Sequence, residues 1–144
     1  MISLAPSLLK IGEVAETSGL PIKTIRYYDE IELLTPTVGR SQTGYRLFRP
    51  EVFDRLTFIK RAQSLGLSLT EIKDILKIHD RGTLPCGEVK HHIEEKVFAI
   101  TQQIQELTVR KAELQSLLAH WQEHSSADRA SKTICPNLVT EKSA

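Results

Sequence analysis

The chain has 144 residues, 40% of them apolar, and its 19 Lys and Arg against 18 Asp and Glu leave a formal net charge of +1. That length and apolar content fit one domain, or one domain with an extension, around a modest core. The near balance of charge excludes a nonspecific polycation, and no run approaches the roughly 20 apolar residues of a membrane span, so no membrane partner is expected.

Met1 to Leu9 is apolar but short, is broken by Pro6 and lacks a basic start, so it does not read as a targeting segment. Lys10 to Leu20 reads as a short helix, with Ile11, Val14 and Ala15 facing inward and Gly19 ending it. Pro21 to Leu34 reads as a second helix. Pro21 suits its first turn, and Ile22, Ile25, Ile31 and Leu34 form a stripe at helical spacing. Two short helices joined by Ser-Gly-Leu-Pro give a helix-turn-helix pattern. The second offers Lys23, Thr24, Arg26, Tyr27 and Tyr28 together, which suits a groove lined with phosphates.

Thr35-Pro36 stops that helix. In Val38 to Phe48, Gly39 and Gly44 bracket a polar tip and Tyr45, Leu47 and Phe48 are strand formers, which predicts a small hairpin, or wing. The only charges from Val38 to Arg49 are Arg40, Arg46 and Arg49. Arg40, Tyr45 and Arg46 are therefore expected at a nucleic-acid backbone. Charge is distributed accordingly: residues 10–81 carry 12 basic and 10 acidic side chains, residues 82–144 carry 7 and 8.

A third helix is predicted over Arg49 to Leu65 from the spacing of Val52, Leu56, Ile59 and Ala62, with Gly66 as its stop. A fourth begins at Ser68-Leu-Thr-Glu71, the spacing of a capping box. Leu69, Ile72, Ile75, Leu76 and His79 mark its inner face, with His79 at the core edge. After a linker at Asp80 to Pro85 the pattern changes. Ile93, Val97, Ile100, Ile104, Leu107, Lys111, Leu114, Leu118 and Trp121 alternate steps of four and three, a heptad seam with one polar interruption. A rod of about 50 Å with one narrow apolar seam needs a partner helix, and the simplest is its own copy, so a homodimer is expected. The domains read as 10–81 (winged helix-turn-helix), 86–121 (dimerisation helix) and 122–144 (effector-binding loop and C-terminal tail).

Lys10-Ile-Gly-Glu-Val-Ala, Thr24-Ile-Arg-Tyr-Tyr-Asp-Glu, Gly44-Tyr-Arg-Leu-Phe and Phe58 through Ile72, followed by the long helix, together resemble the MerR family of transcriptional regulators. The resemblance covers about Lys10 to Trp121. It implies a mainly α fold: a winged helix-turn-helix domain followed by a long antiparallel coiled-coil helix. It also implies a dimer astride a double-stranded promoter with an overlong spacer. Effector binding would then bend and untwist that DNA to realign the promoter elements for RNA polymerase.

In the metal-sensing branch of that family a cysteine stands near the start of the dimer helix, a position that Cys86 matches. Cys135, in Cys135-Pro136-Asn137-Leu138, resembles a second cysteine in a loop beyond the helix. The chain departs where those sensors commonly carry another cysteine: here stands Trp121, flanked by His120 and His124. Cys135 lies 14 residues past Trp121, so within one chain only an almost fully extended return reaches Cys86. In an antiparallel dimer, Cys86 of one protomer meets the partner's Cys135. Soft thiolates suit a divalent ion such as mercury, cadmium, lead or zinc, and a histidine ligand favours zinc. His91 and His92 are expected in solvent.

Two cysteines are too few for a disulfide framework, which suits a reducing cytoplasm. A redox-formed Cys86–Cys135 link between protomers, or a coiled-coil adaptor that binds protein rather than DNA, are the alternatives. No nucleophile–base set or phosphate-binding glycine loop points to an enzyme.

Overall fold

A computed structural model describes residues 7–125 and 133–139. The elements run β1 (Leu9–Lys10), α1 (Ile11–Ser18), α2 (Ile22–Glu30), a 3-10 turn (Thr35–Thr37), β2 (Val38–Arg40), β3 (Arg46–Phe48), α3 (Val52–Ser64), α4 (Leu69–Asp80) and α5 (Cys86–Ala119). The chain divides into two compact units, residues 1–96 and 97–144.

In the first unit, α1 packs against α2, α3 and β3, and Val14, Ile25, Leu33, Leu34, Phe48, Leu56, Ile59, Ile72 and Ile75 are fully enclosed. The expected helices are all present. The second is shorter than expected, ending at Glu30 rather than Leu34. Glu32 N–H donates to the Asp29 carbonyl and Leu33 N–H to the Tyr28 carbonyl, the paired bonds of a Schellman stop. Glu32 itself takes the left-handed conformation, φ 67°, which a residue other than glycine adopts at a cost. The reversal drops Leu33 and Leu34 into the core instead of continuing the helical stripe.

Arg55 holds that turn in place. Its Nε donates to the Leu33 carbonyl, while its two terminal nitrogens donate to Asp80 Oδ1 at 2.6 Å and Oδ2 at 3.0 Å. One buried guanidinium thus joins the end of α2 to the end of α4 through a bidentate, charge-assisted pair. At the start of α4, Ser68 Oγ accepts from Glu71 N–H and Glu71 Oε1 accepts from Ser68 N–H. That is the reciprocal capping box expected from the spacing.

The wing is a three-stranded antiparallel sheet of order β1-β3-β2. Leu9 pairs with Phe48, and Arg40 with Arg46. β1 was not expected from the sequence. Gly44 N–H bonds the Ser41 carbonyl and Ser41 N–H the Tyr45 carbonyl, with Gly44 at φ 92°. This is a type I turn closed by a left-handed residue, one of the favoured hairpin loops.

The second unit continues α5 to Ala119. Every seam residue described there from Val97 onward is exposed, including Ile100, Ile104, Leu107, Leu114 and Leu118. Beyond the helix, Asn137 brackets Gln122: its Oδ1 accepts from Gln122 N–H and its Nδ2 donates to the Gln122 carbonyl, both at 2.8 Å. Residues 126–132 and 140–144 of the expected effector loop and tail lie outside the described residues. Among the described residues no helix is long and apolar enough to cross a membrane.

Candidate nucleic-acid face and metal ligands

α2 divides its polar side chains by helical phase. Ile25 and Tyr28 turn inward, fixing Lys23, Arg26 and Tyr27 on the opposite, exposed face, with Thr24 half-buried at its edge. Tyr28, expected among the nucleic-acid contacts, is only 5% exposed. Its hydroxyl donates to Gln63 Oε1 at 2.7 Å, and burial pushes its phenol pKa up. The reason is register: Ile25 and Tyr28 are three apart and share the core-facing side, whereas Tyr27 is rotated off it.

The wing carries Arg40 and Tyr45 into solvent. Arg40 Nη1 donates to the Gly44 carbonyl at 3.1 Å, and Lys10 Nζ lies 5.5 Å from the centre of the Tyr45 ring. Arg46 is placed differently. Its side chain is 17% exposed, and its Nε donates to Asp29 Oδ2 at 2.6 Å, with Nη2 4.0 Å from Glu30. Arg46 therefore braces the wing against the last turn of α2. The exposed positive and aromatic surface includes Lys23, Arg26, Tyr27, Arg40 and Tyr45, with Arg40 Nη2 also 4.0 Å from Asp29 Oδ2.

Cys86 is the first residue of α5 and is exposed. It borders an apolar cleft of about 1110 Å³ whose lining includes Phe58, Leu76, Pro85, Val89 and Ile93. Cys135 is half-buried in a turn where its carbonyl accepts from Leu138 and Val139 N–H. Both thiols are free. The donor chemistry, two soft sulfurs accessible enough to react, fits a soft divalent ion.

His120 and His124 are exposed, and His120 Nδ1 lies 2.9 Å from the Ser116 carbonyl oxygen. Within the second unit no three of Cys135, His120, His124 and the carboxylates described there come together as a ligand group. His79 lies exposed, on the rim of the cleft beside Cys86.

One histidine is not where sequence reasoning put it. His92, expected in solvent, is 8% exposed. It is covered because Glu71, on a different helix, folds over it. The heptad spacing carries no sign of that contact.

Two protein-family descriptions match the chain: "MerR HTH family regulatory protein" over residues 9–78 and "MerR, DNA binding" over residues 53–117. An uncharacterized HTH-type transcriptional regulator of Pseudomonas aeruginosa is 39% identical over 114 residues, covering 79% of this chain and 86% of that protein. The mercuric resistance operon regulatory protein of Bacillus cereus is 38% identical over 98 residues, covering 68% and 74% respectively. Among solved structures, the transcription regulator PbrR691 of Ralstonia metallidurans CH34, in complex with lead(II), superposes with a TM-score of 0.71 at 30% identity, covering 82% of this chain and 91% of that one.

Proposed function

Because the chain belongs to the MerR family of helix-turn-helix transcriptional regulators, we propose that it acts as a homodimeric, metal-responsive regulator of a promoter. Each protomer grips the duplex with the exposed face of α2 and with the wing. Lys23, Arg26 and Arg40 meet phosphates, Tyr27 and Tyr45 pack on the backbone, Thr24 reaches in from the edge, and Arg46 holds helix and wing at a fixed angle. Deformation of the spacer between promoter elements, read out by RNA polymerase, is the response.

The observation that carries the sensing half of this reading is the Asn137 bracket. It ties the Cys135 turn to the residues just past the end of α5. α5 is one continuous helix of 34 residues beginning at Cys86, about 50 Å long at 1.5 Å per residue. Antiparallel pairing along the exposed seam brings the start of one helix to the end of the other. Cys86 and the partner's Cys135 would then hold a soft ion between them, with His120 or His124 available as a further ligand. What the ion supplies when bound is a thiolate cross-link between protomers. The relatives with mercury and lead in their names support a soft ion.

Mixed dimers test this. Cys86→Ser and Cys135→Ser proteins should each bind the operator normally and each lose metal response. A Cys86→Ser/Cys135→Ser heterodimer keeps one complete interface, so half of the mercury capacity should return. A heterodimer that recovers none would refute the intersubunit site. Indifference to metal under reductant, with a crosslinked dimer on nonreducing gels after oxidant, would favour the redox alternative instead.

A further inference from the structure

Away from the cysteines, α4 and the start of α5 enclose a second cluster of potential ligands. His92 is 8% exposed, yet neither ring nitrogen has a hydrogen-bond partner. Carboxylates surround it nonetheless. Glu71 Oε2 lies 3.3 Å from Nδ1, Glu95 Oε1 lies 3.7 Å from Nδ1, and Glu88 Oε2 lies 3.2 Å from Nε2. A neutral imidazole donates from one nitrogen only, so the other is left facing an acceptor-only group unless a second proton or a metal ion satisfies it.

We propose that Glu71, His92 and Glu95 form a binding site for a borderline divalent cation of the zinc class, separate from the thiol site. Their three ligating atoms lie within 4.8 Å of one another. Nitrogen and oxygen ligands at 2.0–2.1 Å from a tetrahedral ion stand about 3.4 Å apart, close to the two separations measured from Nδ1. Glu88 Oε2, 3.2 Å from Nε2 on the other side of the ring, is placed as the outer partner that would orient the imidazole. Glu71 Oε1 is held by the Ser68 N–H and by the Lys96 ammonium, 3.0 Å away. Those contacts use Oε1, leaving Oε2 to face His92. The remaining position is open to water, and the ligand set of one nitrogen and two oxygens suits zinc better than a thiophilic ion. Glu71 belongs to the first turn of α4, and His92 and Glu95 to α5. An ion held by all three would pin the start of the dimerisation helix to the last helix of the DNA-binding unit.

The test uses the full chain with Cys86→Ser and Cys135→Ser, which removes every thiol and makes the result independent of the sensing site. Titration with cobalt(II) should give visible d–d absorption without sulfur charge transfer, saturating at one ion per chain, and zinc should displace it. Adding His92→Gln or Glu95→Gln should weaken zinc by at least about tenfold against a metallochromic indicator, whereas Glu94→Gln should not. Glu95 is exposed, so Glu95→Gln decides the matter even if His92→Gln fails to fold. No binding by the thiol-free protein, or zinc affinity unchanged by Glu95→Gln, would overturn the site.

Discussion

Leu107→Glu should convert the dimer to monomers, and the size of the effect follows from the seam. In the single chain Leu107 is 58% exposed and Ile100 51%, so pairing can remove roughly half of each side chain from water. Full burial of such a side chain stabilises by about 1.5–3 kcal/mol, so each is worth about 1 kcal/mol at the interface. An antiparallel register that sets Cys86 beside the partner's Trp121 also sets Leu107 against the partner's Ile100, and Leu114 against the partner's Ile93. Symmetry doubles every pair. Leu107→Glu therefore forfeits about 2 kcal/mol of apolar burial. It also desolvates two carboxylates facing isoleucines, at several kcal/mol each. A loss on that scale takes a submicromolar dimer past the concentrations used in sedimentation. The variant should sediment as a monomer and bind operator poorly, each half-site being held by one domain. Ile100→Lys placed in the same chain should recover part of the dimer, because it meets the partner's Glu at position 107. An undiminished dimer for Leu107→Glu would refute the seam, and failure of rescue would refute the register.

Further outcomes are expected in the DNA-binding unit. Arg26→Ala should weaken operator binding and lower the slope of log affinity against log salt by about 1, leaving the dimer intact, as read by gel shift across a salt series. Glu32→Gly should stabilise the protein by about 0.5–1 kcal/mol in urea melts, because glycine takes the left-handed stop without strain. Glu71 has a carboxyl held at about 2 against an ordinary 4.5. The stability it adds is complete above pH 4.5 and is lost as pH falls toward 2. In chelator-containing buffer, the gap between wild type and Glu71→Gln should be about 2 kcal/mol at pH 6, after allowance for solvent screening, and should close only as pH falls to about 2.

Features of the fold that repeat or carry a dedicated residue type were legible in the sequence. The capping box at Ser68 and Glu71 is a local exchange of two bonds, so its spacing suffices. The seam of α5 recurs over many turns and survives one lysine. The stop of α2 was not legible because Glu32 fills a position usually marked by glycine, as Gly66 marks the end of α3. β1 is two residues long, too short to leave any alternation. Site residues divided along the same line. Arg26, Tyr27, Arg40 and Tyr45 are exposed by local phase, which the sequence encodes. Tyr28 turns inward by the same phase, three residues on from Ile25, whereas Arg46 is drawn inward by Asp29 and His92 by Glu71 on another helix. Those are tertiary contacts, invisible to spacing.

The Asp29–Arg46 pair has a thermodynamic consequence. With the guanidinium anchored at 2.6 Å, the wing and α2 reach the duplex already ordered with respect to each other. The freedom that a loose hairpin would surrender on docking is lost earlier, during folding. The heat capacity of operator association should then scale with the apolar area covered at the interface. It should lack the larger negative increment that accompanies folding on binding. Asp29→Ala, which also removes the longer contact to Arg40, would restore that increment, so calorimetry at several temperatures would report how stiffly one carboxylate holds the wing.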